Sequence, residues 1–190
     1  MPGLDPGIHP LLENGWIAGS SPAMTNFVFR LMQMALISVC NLMPLMSPTR
    51  DEIAREARMW IGTPYRHQAS LRGIGCDCLG LVRGVWRALY GEEPESVPAY
   101  AADWAEAAAG EPLIEAALRH LAPVSHGAFA TGDVLLFRWR ARMTAKHAAI
   151  AVTPDRMVHA HDGVAVSEVA IAPWWRRRMA TAFRFPSIED

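Results

Sequence analysis

The run Gly75-Cys76-Asp77-Cys78-Leu79-Gly80-Leu81-Val82-Arg83-Gly84-Val85-Trp86-Arg87-Ala88-Leu89-Tyr90-Gly91 sets the architecture of this chain. Leu81, Val82, Val85, Trp86 and Leu89 recur at helical spacing, which predicts a helix from close to Cys78 to near Gly91. A thiol at a helix start faces unpaired N–H groups, whose partial positive charge lowers its pKa and can hold the oxyanion of an acyl transfer. Gly80, one turn in, lets another backbone approach closely. The plain alternative makes Cys78 one more small buried residue, the commonest fate of a free cysteine. Polar Asp77 and the glycines on both sides favour an open cleft instead.

Upstream, Thr63-Pro64-Tyr65-Arg66-His67 to Gly73-Ile74-Gly75 is punctuated by Pro and Gly and predicts a loop. Before it, Thr49-Arg50-Asp51-Glu52 fits a capping box, and Ile53, Ala57 and Trp60 mark one face of a helix that Gly62 stops. Residues 1–46 differ in composition and predict a non-native or disordered extension ahead of a domain spanning 47–190. The apolar run Phe27–Met46 is broken by Arg30, Gln33, Asn41 and Pro44, and no basic residue precedes Arg30. That argues against a secretory signal and against stable membrane insertion.

Downstream, Ala101–Ala109 and Pro112–Leu121 predict one or two more helices, after which the period changes. Asp133–Arg138, His147–Val152, Met157–His161, Val164–Val166 and Thr181–Phe185 are short apolar, β-branched runs between turn signals, or about five strands. Helices followed by an antiparallel sheet make an α+β domain. A chain of 190 residues, 51% hydrophobic and with a net charge of -1, builds one core without staples and has no global field to attract nucleic acid or an anionic membrane. Its three cysteines cannot form a disulfide framework.

A thiol nucleophile needs a base. His147 begins one strand, and His159 lies on the next, across the Thr153-Pro154-Asp155-Arg156 turn. A three-residue loop there would set Ala149 opposite His159 and make His147 its diagonal neighbour, whereas a four-residue loop would break that parity. His161 points to the same side as His159, so either can be the partner. A zinc module built from Cys76, Cys78, His147 and His159 is a separate possibility, though it lacks the paired short spacings of zinc motifs. Two runs have no assigned role. Trp174-Trp175-Arg176-Arg177-Arg178 predicts a short helix after Pro173 with docked tryptophans and solvated arginines. Arg138, Arg140 and Arg142, alternating with Trp139, fit a cleft wall or a solvated edge equally.

Gly62-Thr63-Pro64-Tyr65, Asp77-Cys78-Leu79-Gly80-Leu81-Val82, Gly132-Asp133-Val134-Leu135-Leu136-Phe137, His147-Ala148-Ala149-Ile150 and Met157-Val158-His159-Ala160 follow one another in an order that resembles the NlpC-type cell-wall peptidases, which are papain-like cysteine endopeptidases. The resemblance covers about Asp51 to Pro186 and is strongest to the short branch of phages and gene transfer agents. It implies Cys78 as nucleophile, His147 as base and His159 as the residue that orients the imidazole, with no cofactor and no metal. It also implies that Tyr65 reaches the cleft and that Asp77 meets the free amine of a peptidoglycan stem peptide. The place of action would be a phage-like tail reaching the periplasm or cell wall, with tail proteins as partners and synthesis in the cytoplasm. A non-catalytic tail-tip protein, an amidase and an acyltransferase are the alternatives on this fold. Leu79 stands where most cell-wall members carry Ser, and Cys76 is outside the family pattern.

Overall fold

The computed structural model describes residues 47–101, 110–125 and 127–189. The extension expected over 1–46 lies outside them, as does the helix expected at Ala101–Ala109 apart from Ala101.

Helix α1 (Arg50–Arg58) starts at the capping box: the Thr49 hydroxyl accepts from the Glu52 N–H, and the Glu52 carboxylate accepts from the Thr49 N–H. It ends before Gly62, because the chain turns out to pair with the sheet, where the Gly62 N–H donates to the Val166 carbonyl at 2.9 Å. The expected loop that follows contains a small hairpin, β1 (Ser70–Leu71) and β2 (Gly75–Cys76). Two-residue strands show no alternation that a sequence could reveal. Helix α2 (Cys78–Tyr90) runs from Asp77 as N-cap to Gly91, whose φ of 84° ends it. Helix α3 (Pro112–His120) follows.

The remaining elements are β3 (Ala122–Val124), β4 (Val134–Phe137), β5 (His147–Thr153), β6 (Arg156–His161), β7 (Val164–Ala170), α4 (Pro173–Arg176) and β8 (Met179–Arg184). They form a six-stranded antiparallel sheet in the order β3-β8-β4-β5-β6-β7. Five strands were expected. The sixth, β3, is three residues long with Pro123 at its centre, a composition tolerated only at an edge, which is where it pairs with β8. The β5–β6 connection is a two-residue Pro154-Asp155 turn with Thr153 opposite Arg156, and a register shift beside it then sets Ile150 opposite Val158. The shift restores the parity that a three-residue loop would have given, so His147 and His159 share a face.

Both faces of the sheet are covered, which is why β4 is buried at every position and shows no alternation. On one face Ile53, Trp60, Leu81 and Val85 of the helical layer pack on Val134, Leu136, Ile150 and Phe183. On the other, Leu135, Phe137, Ala149, Met157 and Ile171 pack with Trp175. No helix of the described residues is long and apolar enough to cross a membrane.

Gly80 and Gly84 seat α2. A Cβ on Gly80 would stand 1.9 Å from the Ala69 carbonyl oxygen, and one on Gly84 would stand 2.0 Å from the Trp60 ring. At an ordinary helix position Gly→Ala gains about 1 kcal/mol, whereas overpacking costs roughly 1–3 kcal/mol. Gly80→Ala is therefore expected to lower stability in chemical denaturation despite the better helix former. Equal or higher stability would show that the Ala69 carbonyl does not abut the helix.

Candidate active site

Asp77 places the thiol. One oxygen of its carboxylate accepts from the Gly80 N–H at 2.8 Å and caps α2, so that Cys78 is the first residue of the helix. The other accepts from the Gln68 N–H at 2.7 Å and from the Tyr100 hydroxyl at 2.5 Å, with the His67 ring 3.7 Å away. The side chain is only 4% exposed. An Asp directly before a helical run is an N-cap signal in its own right, beside the substrate role that the resemblance implies for it.

Cys78 is half-buried. Its Sγ lies 4.0 Å from the Lys146 carbonyl, which places it at the start of β5 beside His147. The thiol's pKa does not fall as expected. Burial first, and the charge of Asp77 second, push it up to about 11, against the backbone N–H groups of Ala148, Leu79 and Cys78 that pull it down. Cys76 is fully buried in the helix-side core, and burial pushes its thiol to about 12. No group of three or more His, Cys, Asp or Glu among the described residues has metal-holding geometry, so the zinc set does not come together.

The histidines do. His147 Nε2 lies 3.0 Å from His159 Nδ1, with both residues about 5% exposed or less. The His161 ring centroid is 6.0 Å from each of them, and its Nδ1 meets the Asp162 carbonyl, so His159 is the partner. Trp175 of α4 packs on both rings of the pair, tilted 25° to His147 at 5.5 Å and edge-on to His159 at 5.3 Å. Trp139 lies 5.6 Å from His147. The expectation that both tryptophans of α4 dock on the sheet holds for Trp175, whereas Trp174 is 40% exposed. That Trp175 reaches the histidine pair was beyond the helical pattern, because the contact joins residues far apart in sequence.

Burial, and then the neighbouring imidazoles, hold the His147 pKa well below the usual histidine value. The same causes, burial and then His161, lower His159 to about 4. The resting site is thus a neutral thiol and neutral imidazoles, with no hydrogen bond between Cys78 and His147 among the described contacts.

Tyr65 pairs by its backbone with Cys76, and its side chain packs on the helix-side core. Burial first, and then the charges of Asp77, Cys78 and Asp162, raise its pKa to about 12. A cavity of about 320 Å³ opens from Cys78 along Leu79, Val82, Trp86, Val97 and Leu113. Two arginines of its rim are paired, Arg83 with Glu93 at 2.6 Å and Arg119 with Glu95 at 2.7 Å. Arg138 is neither a solvated edge nor a free cleft residue, since it meets Glu111 at 2.7 Å. Gly132-Asp133, part of a sequence landmark, is a structural lock. Asp133 is fully buried, accepts from Arg50 at 3.0 Å and from the Ala130 N–H at 2.8 Å, and ties α1 to β4.

The depressed histidines have a pH consequence. Unfolded, they bind protons below about pH 6.5; folded, His159 resists protonation until about pH 4. The unfolded state therefore binds more protons in that window, and stability falls as pH drops from 6.5 towards 4. Melting temperature should decline over this range in the wild type and less steeply in His159→Asn. Identical slopes would contradict the buried neutral pair.

The NlpC/P60 family profile matches residues 62–184, a span that holds every candidate residue. No curated protein matches the chain. Solved structures are similar in fold. An NlpC/P60 family protein from Bacillus cereus shares 19% identity over 73% of this chain and 41% of its own, with a TM-score of 0.54. NlpC1 from Trichomonas vaginalis shares 17% over 72% of this chain and 44% of its own, at 0.52. The NlpC/p60 domain of the peptidoglycan hydrolase SagA shares 22% over 72% of this chain and 99% of that domain, at 0.50. The chain thus spans about two-fifths of the Bacillus cereus protein and nearly all of the SagA domain. The match over residues 62–184, together with the papain-like arrangement of helices on an antiparallel sheet, makes the chain a member of the NlpC/P60 family, whose members are typically cysteine peptidases that hydrolyse peptidoglycan.

Proposed function

We propose that this protein is a cysteine endopeptidase that hydrolyses peptidoglycan stem peptides, with the D-glutamyl-diaminopimelate bond as its target. The observation that carries the reading is the 3.0 Å contact between His147 and His159 at the end of β5 where the Cys78 thiol lies. Resemblance to the short phage-encoded branch adds a phage-like tail as the place of action, with tail proteins as partners.

The neutral resting pair determines how the steps run. His147 must carry its proton on Nε2 and donate it to His159 Nδ1, which leaves Nδ1 as the base. As Cys78 Sγ attacks the amide carbon, the thiol proton passes to His147, and backbone N–H groups at the start of α2 are placed to meet the oxyanion. His159, neutral at working pH, accepts from the imidazolium as it forms, and the indole of Trp175 packs against the same ring. The imidazolium then protonates the leaving amine, giving a thioester that water hydrolyses. Asp77 acts first as the cap that positions Cys78. Its three hydrogen bonds leave room for one further donor, and the free amine of a stem peptide is the candidate. The family resemblance assigns Tyr65 to the substrate side. Leu79, on the cavity wall, makes that side more apolar than a Ser would.

Cys78→Ala should abolish release of fragments from purified peptidoglycan, and Cys76→Ala should leave it within a few-fold of wild type. His147→Ala should lose about as much as Cys78→Ala, and His159→Ala should lose less, since residues acting as a unit are not additive. Mass spectrometry of the fragments identifies the bond. Active Cys78→Ala would end the cysteine-peptidase reading. A cut between sugar and L-alanine would replace the endopeptidase with an amidase.

A further inference from the structure

The two arginine-tryptophan runs left without a role converge beside His147. The loop after β4 and helix α4 are joined by hydrogen bonds from the Arg138 N–H to the Arg178 carbonyl at 3.0 Å and from Arg178 Nε to the Trp139 carbonyl at 3.1 Å. The Arg178 guanidinium lies 3.9 Å above the Trp174 ring. Trp139 touches Trp174 at 5.9 Å on one side and His147 at 5.6 Å on the other, so this surface is continuous with the candidate base.

Arg140, Arg142, Arg176 and Arg177, on the same two joined segments as these rings, are exposed. Among the described residues none of them meets a carboxylate, although Arg58, Arg83, Arg119 and Arg156 each bind a glutamate. Arg176 is the partial exception in being occupied, since it donates to the Pro154 carbonyl and overlies Phe129. In a chain whose net charge is -1, this is a local concentration of uncompensated positive charge. The guanidinium fork matches carboxylates, and a stem peptide carries several of them, the free α-carboxylate of its γ-linked D-glutamate included.

We propose that Arg140, Arg142 and Arg177, framed by Trp139 and Trp174, form an anion-recognition surface that holds carboxylates of the peptidoglycan meshwork while one stem peptide occupies the cleft at Cys78. The proposal rests on the peptidase reading and adds a second, electrostatic point of attachment to it. On the cleft rim Arg83 and Arg119 are paired with glutamates, whereas the arginines of this face meet no carboxylate among the described residues.

The test uses the full chain in a Cys78→Ala background, cosedimented with purified sacculi stripped of phosphate polymers. Arg140→Gln, Arg142→Gln and Arg177→Gln are combined, with the melting temperature confirming the fold. The triple variant should bind about tenfold more weakly, and its binding should depend less on salt. Sacculi whose carboxyl groups have been amidated should bind the unsubstituted arginines as weakly as native sacculi bind the triple variant. In the active chain the same three substitutions should raise KM on sacculi while kcat on a soluble muropeptide stays within twofold. Unchanged binding and salt dependence in the triple variant would overturn the proposal, as would full binding to amidated sacculi. The binding arms do not depend on cleavage, so an inactive wild type would end the peptidase reading alone.

Discussion

A buried carboxylate governs where the Cys78 thiol stands. Asp77 closes the N-terminus of α2 through Gly80 and holds the preceding loop through Gln68, while the Tyr100 hydroxyl reaches the same oxygen from a later segment. Gly80 complements it: lacking a side chain, it lets the Ala69 carbonyl lie against the helix start, and that carbonyl also receives the Asp77 N–H at 3.2 Å. Loop, cap and helix are thereby one unit, with Cys78 as the first residue of the helix. Losing the carboxylate would leave buried N–H donors unpaired, at a cost of about 1–3 kcal/mol for each.

The same carboxylate shapes the chemistry. Its negative charge and the burial around Cys78 outweigh the helix-terminal N–H groups, and the thiol is protonated at rest. At the start of β5, His147 and its partner His159 are buried under Trp175 and held neutral. A thiol and an imidazole that are both neutral do not form an ion pair in advance, so in the proposed mechanism charge separation is confined to the step in which substrate is attacked. In the proposed mechanism the aromatic rings around His147 and the neutral acceptor His159 would then stabilise an imidazolium formed only during turnover, which is where such stabilisation raises a rate.

Much of this was legible in the sequence because it depends on local pattern. The helix at Cys78–Tyr90, the close approach at Gly80 and the pairing of His147 with His159 follow from helical spacing, a small residue and strand parity. The parity came out right by a different route, a tight Pro154-Asp155 turn with a compensating register shift. What the sequence did not show depends on partners distant along the chain. β3 is too short, and too disrupted by Pro123, to be recognised without β8 beside it. The thiol pKa is set by burial and by a neighbouring charge, whereas the sequence revealed only the helix terminus. Asp77 carries a cap signal as well as its place next to Cys78, and only the structure shows how many donors it holds. The convergence of Trp139, Trp174 and Trp175 around His147 needs the whole β4–β8 framework.

The pH dependence of Cys78 alkylation tests the central claim most directly, with the buried Cys76 as an internal control. A neutral thiol that ionises only at high pH gives a rate with iodoacetamide that climbs about tenfold per pH unit from about pH 6 to 9 and is negligible at pH 5. Labelling at Cys78 should precede labelling at Cys76 throughout. A rate that is already high at pH 5 and flat to pH 8 in the wild type, and lost in His147→Ala, would show a preformed thiolate-imidazolium pair and contradict the account.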